Sequence, residues 1–290
     1  TDFEVNASVN FAAQPIVMLA AQGHADAKVL TILDPSVQAI GSLDLNVKAT
    51  GPIARPNLSG NLAVHNLGIG YGDLPLRVPG LNGEINLQGE RATISYLKGA
   101  SGPSSISLSG YVTLSETPGY DLRAELDHSR VGFPSNFTSV LTGNVHLVGG
   151  AGGGRLTGEL DVTQMFADEN FNLLSWVGEL GLQMTKQSYG VSSPTASTIR
   201  LDVQVSSQPQ VRIDSRNLQV VADVDMSVRG TLAAPVGFGS IHIESGQAVI
   251  RGDRYRLTRG DITMSNPFRT QINVDLEART RVQDYDLTLD

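Results

Sequence analysis

Apolar and polar residues alternate with a period of two along almost the whole chain, and that alternation restricts it to strands with one buried face. Leu43, Leu45, Val47 and Ala49 share one parity, as do Ile85 and Leu87, and Ile106, Leu108, Val112 and Leu114. Tyr120, Leu122, Ala124 and Leu126 follow, then Leu201, Val203 and Val205, then Ile272, Val274, Leu276 and Ala278. In the last segment the other parity carries Asn273, Asp275, Glu277 and Arg279, as a solvated sheet face should. Helical spacing is confined to "NLLSWVGEL", 172–180, where Leu173, Val177 and Leu180 coincide. Residues 164–190 are therefore expected to be an irregular or short helical insert, either a lid over an apolar cavity or a piece packed over exposed sheet.

Three stretches repeat one plan of strand, glycine, turn-rich residues, glycine, strand. They are "LDLNVKATGPIARPNLSGNLAV" (43–64), "LTGNVHLVGGAGGGRLTGELDV" (141–162) and "VDMSVRGTLAAPVGFGSIHI" (224–243). If each is an antiparallel hairpin whose paired glycines (Gly51/Gly60, Gly149/Gly158, Gly230/Gly239) face each other, apolar residues meet apolar residues throughout. Val47 then lies opposite Val64, Leu147 opposite Leu160, and Met226 opposite Ile243. Connections this short cannot join neighbouring parallel strands, so the expected sheet is an antiparallel meander. The glycine run 149–154 leads into another alternating strand and has no Gly-Lys-Ser/Thr, so it reads as a hairpin loop and not a phosphate cradle.

The 290 residues carry a net charge of −8, with basic residues scattered and not gathered into a tract, which argues against nucleic acid as a partner. There is no cysteine, so disulfides and thiolate metal sites are excluded. The longest purely apolar run, residues 16–21, is far short of the roughly 18 needed to span a bilayer as a helix. Both ends lie in alternating segments, and the chain reads as a fragment of a longer one. His24, His65, His128, His146 and His242 show neither metal spacing nor an evident partner, and read as satisfied or solvated surface residues. No nucleophile elbow, zinc-protease helix or dinucleotide fingerprint occurs, and nothing recommends a catalytic carboxylate pair, so no enzyme activity and no cofactor or metal is expected.

"RGDRYRLTRGD", 251–261, gathers Arg251, Arg254, Arg256 and Arg259. Arginine's planar donor fork suits an anionic head group or a carboxylate-rich partner. The competing reading is an exposed strand face, with Arg254 and Arg256 outward and Tyr255 and Leu257 inward. The Asn136-Phe137-Thr138 acceptor pattern carries no weight by itself.

What remains is the apolar face. No set of amphipathic helices is available to cover it, so either a second sheet closes over it or the sheet curls into a trough. The fold class expected is all-β with a long, mainly antiparallel sheet; closure would make a packed sandwich, and a trough would make a curled sheet with a concave hydrophobic interior. The candidate groove residues are Leu45, Val47, Leu62, Val64, Val145, Leu147, Leu160, Val162, Met226, Val228, Ile241, Ile243, Val274 and Leu276. An acyl chain laid against them would gain about 0.8 kcal/mol for each methylene buried. A structural or adhesive solenoid with a filled interior is the competing class, and a polysaccharide-cleaving β-helix a more distant one.

Residues 230–290 resemble the C-terminal conserved region of the TamB family, the AsmA-like inner-membrane subunit of the translocation and assembly module. The matching features are Gly230 with Pro235 and Gly239, "SGQAVIRG" around Gly246, Tyr255, Gly260-Asp261-Ile262 followed by Met264 and Pro267-Phe268, and the "INVDLEA" strand. "LTGNVHLVG" and "LSGYVTLSETPGYDLRAEL" are similar to the family's recurrent units, so 1–290 is expected to be one continuous β-groove region with 230–290 as its conserved segment. The resemblance implies the curled form of the sheet, with a hydrophobic groove on its concave side, in a periplasmic protein of a Gram-negative-type envelope that carries phospholipids between inner and outer membranes. It also implies an inner-membrane anchor N-terminal to this chain and an Omp85-type (TamA-like) outer-membrane barrel as partner. A role in assembling outer-membrane proteins and autotransporters is the alternative it implies.

Overall fold

The computed structural model describes residues 2–10, 16–33, 37–52, 56–71, 80–115, 117–132, 137–167, 194–208, 210–250, 253–266, 271–282 and 285–289. Among the described residues seventeen strands belong to one sheet, so an all-β, mainly antiparallel sheet is the fold the chain adopts, as expected. The chain groups into two compact units, Thr1–Asp127 with Asn144–Arg155, and His128–Gly143 with Leu156–Asp290. Of the insert expected at 164–190, residues 164–167 are instead the end of a strand, and residues 168–190, with the helical spacing at 172–180, lie outside the described residues.

Strands β1 (Asp2–Asn10), β2 (Ile16–Asp26), β3 (Val37–Pro52), β4 (Asn57–Tyr71), β5 (Leu81–Gly89), β6 (Arg91–Ser101), β7 (Ser104–Thr113) and β8 (Gly119–Val131) pair in sequence order, each antiparallel to the next. Because side chains alternate faces, a common register turns the sequence parity into rows that cross the strands. One row runs Ala21–Val47–Gly60–Leu87–Ala92–Val112–Tyr120, and the next runs Gly23–Leu45–Leu62–Ile85–Ile94–Gly110–Leu122. Between them, on the opposite face, lies Gln22–Asn46–Asn61–Asn86–Thr93–Tyr111–Asp121. Register shifts at Ile40/Ser42, Val64/Leu67 and Ile94/Leu97 insert extra residues into β4, against both of its neighbours, and into β6. Such bulges increase local twist and bend the strands that carry them. A 3-10 turn, Ala27–Val29, and one helical turn, Leu30–Leu33, join β2 to β3 and bury Ala27 completely.

Strands β9 (Phe137–Gly150) and β10 (Gly153–Ala167) are divided between the units, and the glycine run forms the tight connection between them, as the hairpin reading required. The second unit continues with β11 (Ile199–Ser206), β12 (Val211–Asp214), β13 (Leu218–Thr231), β14 (Ala234–Ile250), β15 (Asp253–Met264), β16 (Ile272–Val282) and β17 (Tyr285–Leu289). Both β11 and β12 pair with β13, and Ser207 keeps the ladder continuous between them. Its N–H donates to the Val224 carbonyl at 3.0 Å, and its Oγ accepts the Val224 N–H at 2.8 Å. Apolar rows form here too, among them Val224–Ile241–Ile262–Val274 and Val211–Ala222–Ile243–Gly260–Leu276.

Two expectations need correction. Among the described residues the meander is interrupted where β10 and β12 run parallel, with Met165 paired to Ile213. The two paired segments lie far enough apart in sequence for the dozen or more residues that a parallel neighbour demands. The hairpin register also differs by four residues, so Val47 faces Gly60 and not Val64, and Met226 faces Gly239 and not Ile243. An even shift leaves every side chain on its expected face, which is why parity alone could not detect it. The glycines explain the choice. Gly60 and Gly239 both have φ of 139°, and a Cβ on either would run into a facing carbonyl, that of Asn46 or of Asp225. Only glycine fits opposite Val47 and Met226 at this spacing.

Replacing Gly239 with Val is accordingly expected to destabilise the protein by about 2 kcal/mol or more, through backbone strain and overpacking. Gly152→Ala, at a turn where an added Cβ meets nothing within 4 Å, should be nearly neutral. Urea midpoints of the two variants check the contrast.

Candidate hydrophobic groove

In the first unit Leu45 and Leu62 are directly paired, Val47 lies in the row beside them, and Val64 pairs with Leu43. Leu45, Val47, Leu62 and Val64 therefore share one face. Val145 and Leu147 lie on the β9 segment of the same unit and are half-buried. In the second unit Leu160 lies against Gly143, and Val162 joins the main apolar cluster. Ile241 and Val274 lie in one row and Ile243 and Leu276 in the next, and Met226 and Val228 continue the same face along β13 beyond the Ile241 row. The hairpin partners expected for these positions are thus replaced, while the faces are retained.

Exposure separates these residues into two kinds. Val64, Val162 and Ile243 are buried, whereas the other eleven candidates are half-buried. In a closed two-layer sandwich, inward side chains interdigitate at crystal-like density and lose nearly all contact with solvent. The eleven half-buried candidates keep partial contact with solvent, and Leu45, Met226, Ile241, Val274 and Leu276 among them also pack against the buried clusters. Beside them are packed seams that the candidate list omitted: Leu43, Leu67, Leu81 and Leu97 in the first unit, and Val211, Val220, Ala222 and Leu257 in the second. Leu43 and Val220 continue the alternation and carry the same signal as the candidates. Which positions along a face become sealed depends on neighbours distant in sequence, and period-two parity does not encode that.

The opposite face is polar and ordered by cross-strand pairs. Asp44 receives two histidines, with its Oδ1 2.6 Å from His24 Nδ1 and its Oδ2 2.8 Å from His65 Nε2. These hydrogen bonds hold its carboxyl below the usual aspartate range. His146 Nε2 lies 2.7 Å from Asp121 Oδ1, and His242 Nδ1 lies 2.7 Å from Asp261 Oδ1. His24, His65, His146 and His242, which showed no evident partner in the sequence, thus have one on an adjacent strand, because residues some twenty apart meet only through the hairpin register. They are satisfied surface residues, and such exposed pairs add little stability individually. Glu277 is likewise held below its ordinary value by Arg279, whose Nη2 is 2.6 Å from its Oε1.

In the arginine-rich tract Arg254 and Arg256 are exposed while Tyr255 and Leu257 face the core, and Arg259 Nε donates to Asp261 Oδ2 at 3.4 Å. Arg251 and Asn136 lie outside the described residues. Among the described residues no group of three or more histidines and carboxylates is arranged to hold a metal ion, and no helix is long and apolar enough to cross a membrane.

The division between half-buried and sealed positions is testable. Leu97→Ala, at a site only 2% exposed, should destabilise by about 2–5 kcal/mol, and Leu45→Ala, at a half-buried site, by clearly less. Equal losses in denaturant titrations would mean the half-buried site is sealed as tightly as the seam. The comparisons with known proteins bear on what such a face belongs to. A family model described as the TamB C-terminal domain matches residues 90–289, taking in every strand from β6 to β17. No curated protein and no solved structure matches the chain. With more than half of its length inside that model, the chain belongs to the TamB family.

Proposed function

We propose that the apolar face is a non-enzymatic conduit along which phospholipid acyl chains pass between the inner and outer membranes, with the chain in the periplasm. The observation that carries this reading is the run of half-buried apolar rows across many successive strands, backed by a polar opposite face. An acyl chain needs continuous apolar contact and no directional bonds, and uniform rows of Leu, Val, Ile and Ala offer that without a deep well in which to trap it. The head group would remain in water. Membership in the TamB family supports this reading, because the family's context is membrane assembly and lipid transport in the cell envelope. An inner-membrane anchor elsewhere in the full protein and an Omp85-type barrel at the outer membrane would complete the path.

A second reading, a scaffold for assembling outer-membrane proteins with a filled interior, is favoured by one observation. In the second unit Val211, Ala222, Ala248 and Leu257 are almost wholly buried, which describes a packed core there.

Photo-crosslinking separates the two. With a benzophenone side chain at Leu45 or Leu62 in the full-length protein, phospholipid should be captured, and at Asn46 or Lys48 on the other face it should not. Val47→Asp or Val228→Arg, in protein that still folds, should block lipid movement, since an unpaired charge on an apolar path is strongly unfavourable. Equal capture from both faces, or undiminished transport by the charged variants, would overturn the conduit reading.

A further inference from the structure

The second unit lines up Asp223, His242, Asp261 and Asp275 in a single outward-facing row across β13, β14, β15 and β16. Neighbouring strands lie about 4.8 Å apart, so each of these side chains stands beside the next. His242 bonds Asp261 at 2.7 Å and has Asp223 directly opposite on its other flank. The remaining charges facing it are Glu244 on β14 itself, Asp225 on β13 opposite Ser240, and Arg259 on β15, which bonds Asp261. Beyond Asp275 on β16, Glu277 is occupied by Arg279. The histidine is thus embedded among carboxylates, with Arg259 as the basic group at its side.

The backbone beside this row is interrupted. The β14–β15 ladder is paired at Ile243–Gly260 and resumes only at Gly246–Leu257, and the β15–β16 register slips between Leu257 and Arg259. The His242–Asp261 bond therefore spans the seam next to the place where main-chain pairing lapses.

We propose that this row is a pH-sensitive latch on the β14–β15 seam, closed when protonated His242 ties the strands together and loosened when its deprotonation leaves a line of like-charged carboxylates. Protonated His242 attracts Asp261 across this seam and Asp223 on its other side, and offsets the repulsion between Asp261 and Asp275, which lie directly opposite each other on β15 and β16; neutral His242 no longer supplies that charge. The hydrogen bond to Asp261 raises the pKa of His242 above its ordinary 6.5, and the same bond, together with Arg259, lowers that of Asp261 below 3.8. For the histidine the sign is that of a raised group: its contribution is complete below the unfolded value and is lost as pH rises through the folded one. For Asp261 the contribution is lost as pH falls through its depressed value. The latch is firm in mild acid and releases toward alkaline pH.

Amide hydrogen exchange of the full chain, corrected for intrinsic rates, tests this at about pH 5.5 and 8.5, on either side of the histidine range. Protection of residues 239–246 and 257–264 should fall roughly threefold or more between the two, while the β5–β6 seam, which carries no histidine, should not change. His242→Asn should abolish the difference. Should that variant fail to fold, Asp261→Asn, which keeps the histidine but removes its bonded carboxylate, should shrink the response and move it to lower pH. Unchanged protection in the wild-type chain, or a full response in either variant, would overturn the proposal.

Discussion

Everything in this molecule depends on keeping side-chain parity in phase from one strand to the next. A displacement of one residue at any hairpin would turn the apolar row outward for all the strands that follow. The chain holds phase through tight connections and through glycines that admit only one close neighbour. At Gly60 and Gly239 the facing carbonyl occupies the space of a side chain, so the register that puts glycine there is the register in which a bulkier residue would clash. Bulges then add residues at chosen levels, letting the sheet bend without breaking the rows on either side.

Much of this was legible beforehand because it is local. The faces of Leu45, Val47, Leu62 and Val64 follow from alternation alone, and the loop character of 149–154 follows from what comes after it. Features that depend on residues far apart were not legible. The four-residue change in hairpin register preserves parity and so leaves no trace in the pattern; it is selected by a steric contact between Gly60 and the Asn46 carbonyl. The partnership of His24 and His65 with Asp44 was hidden for the same reason, as was the sealing of Leu97 against Gly83 and Leu108 while Leu45 stays half-open.

The two faces obey different physics. On the apolar side contacts are non-directional and interchangeable, so long rows of similar residues suffice and no single one dominates. On the polar side each bond is directional, and His24–Asp44–His65, His146–Asp121 and His242–Asp261 repeat one pairing of histidine with an aspartate on an adjacent strand. Exposed pairs of this kind contribute modestly to global stability, but they act at individual seams, where a small free energy decides whether two strands stay together.

The parallel joint between β10 and β12 has a consequence for how the chain acquires its fold. Almost all other pairings join consecutive segments and can zip up as soon as both have emerged, which keeps contact order low and folding fast. Met165 and Ile213 are separated by nearly fifty residues, so this joint must wait for a large loop to close. Hairpins on both sides of it can be complete before it forms, which makes it the natural slow step in maturation and the place where a chaperone would have most to do.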